Sequence, residues 1–273
     1  MIKDIVVHLT GSDEDEIRLS YAEFLSERFE AHVRGFYVHR LPELISTSPF
    51  AMAGMPAMTT FYEEQAAQAG RTLTRLKERF DRLVMPHDVQ QVDVYSGTAG
   101  KTLALRARTA DLFVATRPYG DPADDESTEV EVLFGSGRAC LFLPPNAPPP
   151  TKLGTVVVAW NGSREAARAV AEALPILKLA SQAVVVGITE GEEPSRKSDI
   201  ARHLSRHGVP VVLGDVDDAP DGIGAALLGE VSRLDADLLV MGGYGHSRLR
   251  ELVLGGATRF VLVNSTVPVL MAR

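Results

Sequence analysis

Val156-Val-Val-Ala-Trp160 runs directly into Asn161-Gly162-Ser163, after which Ala166, Ala169, Val170, Ala173, Leu174 and Leu177 recur on one helical face. A continuous β-branched run reads as a strand covered on both sides. The Gly-Ser pair marks a tight turn, Ser163 suits a helix N-cap, and Glu165 favours the first turn electrostatically. The same order stands near the amino terminus. Ile5-Val-Val-His-Leu9 leads to Thr10-Gly11-Ser12, and Ile17, Tyr21, Phe24 and Leu25 follow at helical spacing. Val33-Arg-Gly-Phe-Tyr-Val38 then corresponds to Ala183-Val-Val-Val-Gly-Ile188, and Ala110-Asp-Leu-Phe-Val114 to Ala236-Asp-Leu-Leu-Val240. Apolar strands alternating with helices predict two doubly wound, mostly parallel α/β units. Pro144-Pro-Asn-Ala-Pro-Pro-Pro150 can continue neither helix nor central strand and reads as the linker, giving domains 1–145 and 151–273.

The 273 residues suit two cores better than one. With 45% hydrophobic and 23% charged residues, the chain is neither disordered nor fibrous. No apolar run is long enough to span a membrane, and MIKDIVVHLTGSDEDE turns acidic where a secretory signal would stay apolar, so a cytosolic protein is expected. The single cysteine, Cys140, excludes an internal disulfide and a Cys-based zinc cluster. A net charge of −8 argues against sequence-independent nucleic-acid binding. That charge is uneven: residues 1–150 hold 15 Lys/Arg against 22 Asp/Glu, and residues 151–273 hold 13 against 14. An anionic ligand is therefore expected in the second half.

The halves differ in one long insertion. Val38 to Gly97 spans 59 positions, whereas Ile188 to Gly214 spans 26. The extra chain includes Leu41–Met58, rich in Met, whose prolines and glycine are expected to break regular structure. Two readings stay open: a flap or partner-docking surface, or an ordered loop and helix packed on its own domain.

The stretch richest in chemistry is Val240-Met-Gly-Gly-Tyr-Gly-His-Ser-Arg-Leu-Arg-Glu-Leu-Val-Leu-Gly-Gly-Ala-Thr-Arg-Phe260. It follows a strand, at the sheet edge where open α/β folds bind ligands. Gly242, Gly243 and Gly245 let backbone amides approach an anion, and Gly255 and Gly256 do so at the start of the next helix, whose dipole favours phosphate. The pattern is neither Walker A nor GxGxxG. Glycines also turn strands and cap helices, so a purely structural role remains open. His246 and Arg248 either neutralise phosphate or lie on the surface, and Arg250 is expected on the solvent face.

Gly242, Gly245 and Gly255 stand at the spacing Gly, two residues, Gly, nine residues, Gly, and Asn161-Gly162-Ser163 closes the first strand of this half. In these features the chain resembles the universal stress protein (UspA-like) family in its tandem form. The resemblance implies an α/β fold of the adenine nucleotide alpha hydrolase-like type that binds ATP or AMP, with magnesium accompanying the nucleotide, and acts in stress responses. Carried over by position, Gly242, Gly243, Gly245, Gly255, Gly256, Ala257 and Thr258 surround phosphate and ribose, with His246 and Arg248 in the same loop. Ile188 lies near adenine, and Asn161 and Gly162 hold the place of the family's acidic loop. Here Asn161 replaces the acid and Gly256 the hydroxyl residue that usually follows the last glycine. Family domains pair through their last strands, which implies an internal pseudo-dimer and allows a further homodimer.

The first half departs further. Its corresponding segment, Thr116–Thr128, has one glycine and four carboxylates, and Thr10 replaces the acid of the first loop. At most one nucleotide site is expected, in the second half. His203 and His207 stand four apart, without the Glu of HExxH, and are expected to face solvent. Trp160 belongs to the core or the pocket rim. Ser136 lacks the GxSxG setting of a nucleophile, and no general base for ATP hydrolysis is visible. Three functions follow: a nucleotide-responsive stress protein acting on an unidentified protein partner, a nucleotide-free scaffold binding a protein or small apolar ligand, and a slow ATPase.

Overall fold

The computed structural model describes residues 1–41, 55–95, 97–118, 128–187, 197–215, 221–244 and 256–273, and of residues 55–58 the backbone. In the first half β1 (Asp4–Leu9), α1 (Glu14–Phe29), β2 (His32–Arg40), α2 (Met55–Phe80), β3 (His87–Val94), α3 (Ala99–Ala107), β4 (Leu112–Thr116), α4 (Thr128–Gly135) and β5 (Ala139–Leu143) follow one another. The second half repeats the order with β6 (Thr155–Trp160), α5 (Arg164–Leu177), β7 (Gln182–Gly187), α6 (Lys197–Arg206), β8 (Val211–Gly214), α7 (Ile223–Arg233), β9 (Leu238–Gly242), α8 (Ala257–Asn264) and β10 (Val269–Ala272).

All these strands join one sheet in the order β3-β2-β1-β4-β5-β10-β9-β6-β7-β8. Every neighbouring pair is parallel except the central one, where β5 and β10 run antiparallel with Phe142 opposite Val269 and Cys140 opposite Met271. The halves therefore meet through their last strands, as the resemblance implied. Each half has one switch point, between β1 and β4 and between β6 and β9, and the carboxyl ends of those strands open a crevice.

The expected helical faces are buried. Tyr21, Phe24 and Leu25 of α1 and Ala169, Val170, Ala173 and Leu177 of α5 cover one side of the sheet in a single apolar layer that continues across both halves. Leu103, Val132, Leu133, Leu227, Val261 and Leu262 from α3, α4, α7 and α8 cover the other. Each large side chain buried this way contributes about 1.5–3 kcal/mol.

The insertion is partly regular. Pro56, expected to break structure, sits in the first turn of α2, where its missing N–H has no intrahelical partner to lose. Leu76 and Phe80 of α2 pack into the core, and Gly35 makes room for Phe80, since a Cβ there would come within 2.4 Å of its ring. The helix is thus packed on its own half, while residues 42–54 of the Met-rich stretch lie outside the described residues.

Candidate functional site

β6 and β9 are neighbours, so the loop at Asn161 and the chain at Gly242 leave the same sheet edge. Gly162 has φ +75° with open space where a side chain would stand, a turn conformation that favours glycine. Ser163 caps α5 by accepting the Ala166 N–H at 3.1 Å, as its sequence position predicts. Asn161 does not point free: its Oδ1 accepts the Ser163 N–H at 3.1 Å, an Asx turn. Trp160 ends the strand with a buried indole N–H that has no partner.

Gly242, which ends β9, and Gly243 after it are packed closely against their neighbours. A Cβ on Gly242 would stand 2.6 Å from the Ala166 nitrogen and 2.7 Å from the Glu165 carbonyl carbon, so this glycine lets the first turn of α5 close over the strand. Gly243 donates its N–H to the Ala272 carbonyl at 3.0 Å, and a Cβ there would approach Leu133 Cδ2 at 3.0 Å. The Gly243 amide is thereby engaged within the sheet edge. Tyr244 follows with φ +53° and donates its N–H to Thr258 Oγ1 at 3.3 Å. The hydroxyl of Thr258 thus first clamps the chain end of β9, keeping its own proton for another acceptor. Gly256 is the N-cap of α8 with no side-chain cap, so Ala257 and Thr258 open the helix with first-turn amides that no intrahelical carbonyl takes. Ile188, Gly245, His246, Arg248 and Gly255, with Arg250, lie outside the described residues.

The crevice of the first half is filled by its own ions. The Arg18 guanidinium, 3% exposed, donates to Thr116 Oγ1 (2.6 Å), Asp15 Oδ1 (2.7 Å), Thr10 Oγ1 (3.0 Å) and the His8 carbonyl (3.4 Å), so it bridges the ends of β1 and β4. Asp15 also accepts the N–H groups of Thr10 and Gly11, at 3.0 and 2.7 Å. Beside them His8 Nδ1 meets Glu129 Oε1 at 2.8 Å, both residues being buried. Burial alone would raise the Glu129 pKa, but the hydrogen bond from His8 and the charges of His8 and Arg18 hold it below its ordinary value. A carboxylate only accepts, so His8 Nδ1 carries the donated proton.

The repeat shows what the second half has instead. Counted from the turn glycines Gly11 and Gly162, His8 corresponds to Ala159, Asp15 to Ala166 and Arg18 to Ala169; counted from the helix starts, Glu129 corresponds to Thr258. Three small apolar residues and one hydroxyl replace four charged or titratable groups. Sequence reading missed this cluster because Glu14, Asp15 and Arg18 at helical spacing look like surface ion pairs. Glu165 was also read only as a first-turn charge. It is buried; desolvation pushes its pKa up, yet the hydrogen bonds from Arg164 at 2.7 Å and from its own backbone N–H, with the charges of Arg164 and Arg273, together hold it below the ordinary carboxylate range.

The described residues do not fit a protein-held magnesium ion. Asn161 brings no charge, its oxygen already accepts a hydrogen bond, and no group of three or more His, Cys, Asp or Glu that could hold a metal is found among them. His203 and His207 are exposed, with ring centroids 4.7 Å apart. Ser136 is buried, its Oγ accepting the Arg138 N–H at 3.2 Å. No helix among the described residues is long and apolar enough to cross a membrane.

Comparison with known proteins agrees with this architecture. The model of the universal stress protein family matches residues 221–273, the stretch from α7 through β10. A universal stress protein of Synechocystis sp. is 23% identical over 298 aligned positions, covering all of both chains. Among solved structures, a universal stress protein from Archaeoglobus fulgidus superposes with a TM-score of 0.73 at 14% identity, covering 99% of this chain and 96% of its own. A further one from Pseudomonas aeruginosa gives 0.62 at 14% identity, covering 99% and 93%. The family's model on the segment from α7 through β10, a full-length relative and the same fold across both halves agree: the chain is similar in sequence and fold to tandem universal stress proteins.

Proposed function

We propose that the protein binds one adenine nucleotide, ATP or AMP, in its 151–273 half and acts as a cytosolic stress-response regulator, occupancy changing its contact with another protein. The 1–145 half holds no second nucleotide. The observation that supports this reading is the difference between the two crevices: His8, Arg18 and Glu129 fill the first, while the matching positions of the second carry only Ala159, Ala169 and Thr258. The α8 first turn then supplies amides and a positive dipole end to a phosphate. Magnesium enters only as the nucleotide's own counterion, and no general base for hydrolysis is identified at the site among the described residues.

Trp160 is the sole tryptophan, and it stands next to Asn161, so its emission reports on the site. Titration with ATP and AMP is expected to change that emission with a stoichiometry of one per chain, and heat extraction of fresh protein to release adenine nucleotide. A protein that is empty and ignores both nucleotides refutes the reading. That outcome selects the nucleotide-free scaffold, which is favoured by the engagement of the Gly243 amide and of Asn161 Oδ1 inside the protein.

A further inference from the structure

Tyr244 is the point where β9 hands over to the glycine segment, and its backbone is strained. A bulky residue at φ +53° persists only when its surroundings hold it there. Two groups do so. Thr258 takes its N–H from within the second half. Its ring lies against Phe134 of the first half, with centroids 5.1 Å apart and planes tilted by 46°. Arg273 of the second half also stacks on Phe134, its guanidinium carbon 3.9 Å from the ring centroid, and the neighbouring Leu133 fills the space beside Gly243.

Helix α4, which carries Leu133 and Phe134, is fixed from within the first half. Its first turn is tied to β1 by the His8–Glu129 pair. Gly100 of α3 lets it approach so closely that a Cβ there would meet Glu131 Cβ at 2.6 Å, and Arg108 donates to the Gly135 carbonyl at 3.1 Å. A rigid element anchored in the filled crevice thus ends on the residue that opens the other crevice's loop.

We propose that Phe134 is a positioning residue for the nucleotide site of the opposite half, and that α4 is the element through which the first half sets that site's affinity. This rests on the nucleotide reading above. The filled crevice, on this view, is retained as the anchor of α4. Nucleotide binding requires the chain to leave Gly243 in the conformation that the Phe134–Tyr244 pair selects. Losing the pair lowers the competent population and weakens apparent affinity in proportion.

The test uses the full chain with Phe134→Ala, Phe134→Leu and Phe134→Tyr, read by hydrogen exchange without ligand and by ATP titration. Phe134→Ala and Phe134→Leu are expected to speed exchange at Gly243 and Tyr244 and to weaken ATP binding by about threefold to tenfold, the worth of one aromatic pair. Exchange within Leu238–Met241 is expected to stay unchanged, and Phe134→Tyr to restore both readouts. Glu129→Gln, remote from Tyr244, is expected to move them in the same direction by loosening α4. Unchanged exchange at Gly243 and Tyr244 in both truncations, or equal acceleration throughout β9, overturns the proposal. If the parent protein binds no nucleotide while exchange responds as stated, the nucleotide reading falls and the positioning of Tyr244 by Phe134 stands.

Discussion

Arg18→Ala isolates the energetics of the filled crevice. The substitution removes a buried guanidinium and leaves Asp15, also buried, beside His8 and Glu129 without its cation. Breaking a buried pair from one side costs about 3–5 kcal/mol, because the remaining charge stays desolvated. Asp15 keeps the N–H groups of Thr10 and Gly11, and Glu14, whose side chain is 40% exposed, loses almost nothing, so the lower end applies: about 3 kcal/mol. For a chain of this size that corresponds to a fall in Tm of roughly 6–10 °C. The molecule supplies its own control, since Asp15→Ala with Arg18→Ala recreates the Ala166/Ala169 pair of the second half. The double variant is expected to lose no more than Arg18→Ala alone, a coupling of about 2 kcal/mol in a urea-denaturation cycle. A loss under about 1 kcal/mol for Arg18→Ala, or strict additivity, refutes the account of the crevice as one ionic unit.

Three further outcomes follow from single residues. Because the folded state holds Glu129 below its ordinary pKa, its stabilisation is present above the unfolded value of about 4.3 and lost as pH falls below it; the stability gap between the parent and Glu129→Gln is therefore expected to narrow on acidification, in urea curves from pH 7 to pH 3. Gly242→Ala drives a Cβ into the α5 backbone and is expected to cost about 1–3 kcal/mol, whereas Gly229→Ala, in α7 with open space around it, is expected to gain about 0.5–1 kcal/mol in the same assay. Cys140 lies in the β5–β10 seam with its thiol pKa pushed up by burial, so labelling by a disulfide reagent is expected only when the seam opens, its rate tracking urea concentration.

The fold was legible because periodicity survives in both halves: the strand runs at Ile5 and Val156, the turn glycines and the buried faces of α1 and α5 all stand where the spacing puts them. The antiparallel seam was legible only through the family resemblance, since nothing in Ala139–Leu143 itself announces which edge it seeks. Of the glycine segment, residues 240–244 and 256–260 lie within the described residues. Spacing identified where the chain turns, but only three-dimensional neighbours show that Gly242 is small for α5 and Gly243 for Leu133. Arg18 was invisible for a similar reason. A guanidinium among acidic residues on a helix reads as solvated unless one knows that Thr116, nearly a hundred positions away, closes over it.

On the proposed nucleotide reading, the two crevices give a reason for a duplicated chain to keep one half without a ligand site. A crevice with Ala159 and Ala169 at the matching positions has none of the first crevice's charges to define it, and on the proposed reading takes its order from a guest or a neighbour. One filled by Arg18, Asp15, His8 and Glu129 defines itself, since every charge in it has an internal partner. Joined by the β5–β10 ladder, the self-defined half is placed to supply the neighbour that the other lacks, through Leu133 and Phe134. Divergence at His8 and Arg18 therefore need not be decay. Substituting charges into one copy exchanges a binding site for a rigid support, and the symmetry of the repeat delivers that support to the loop of the copy that stayed open.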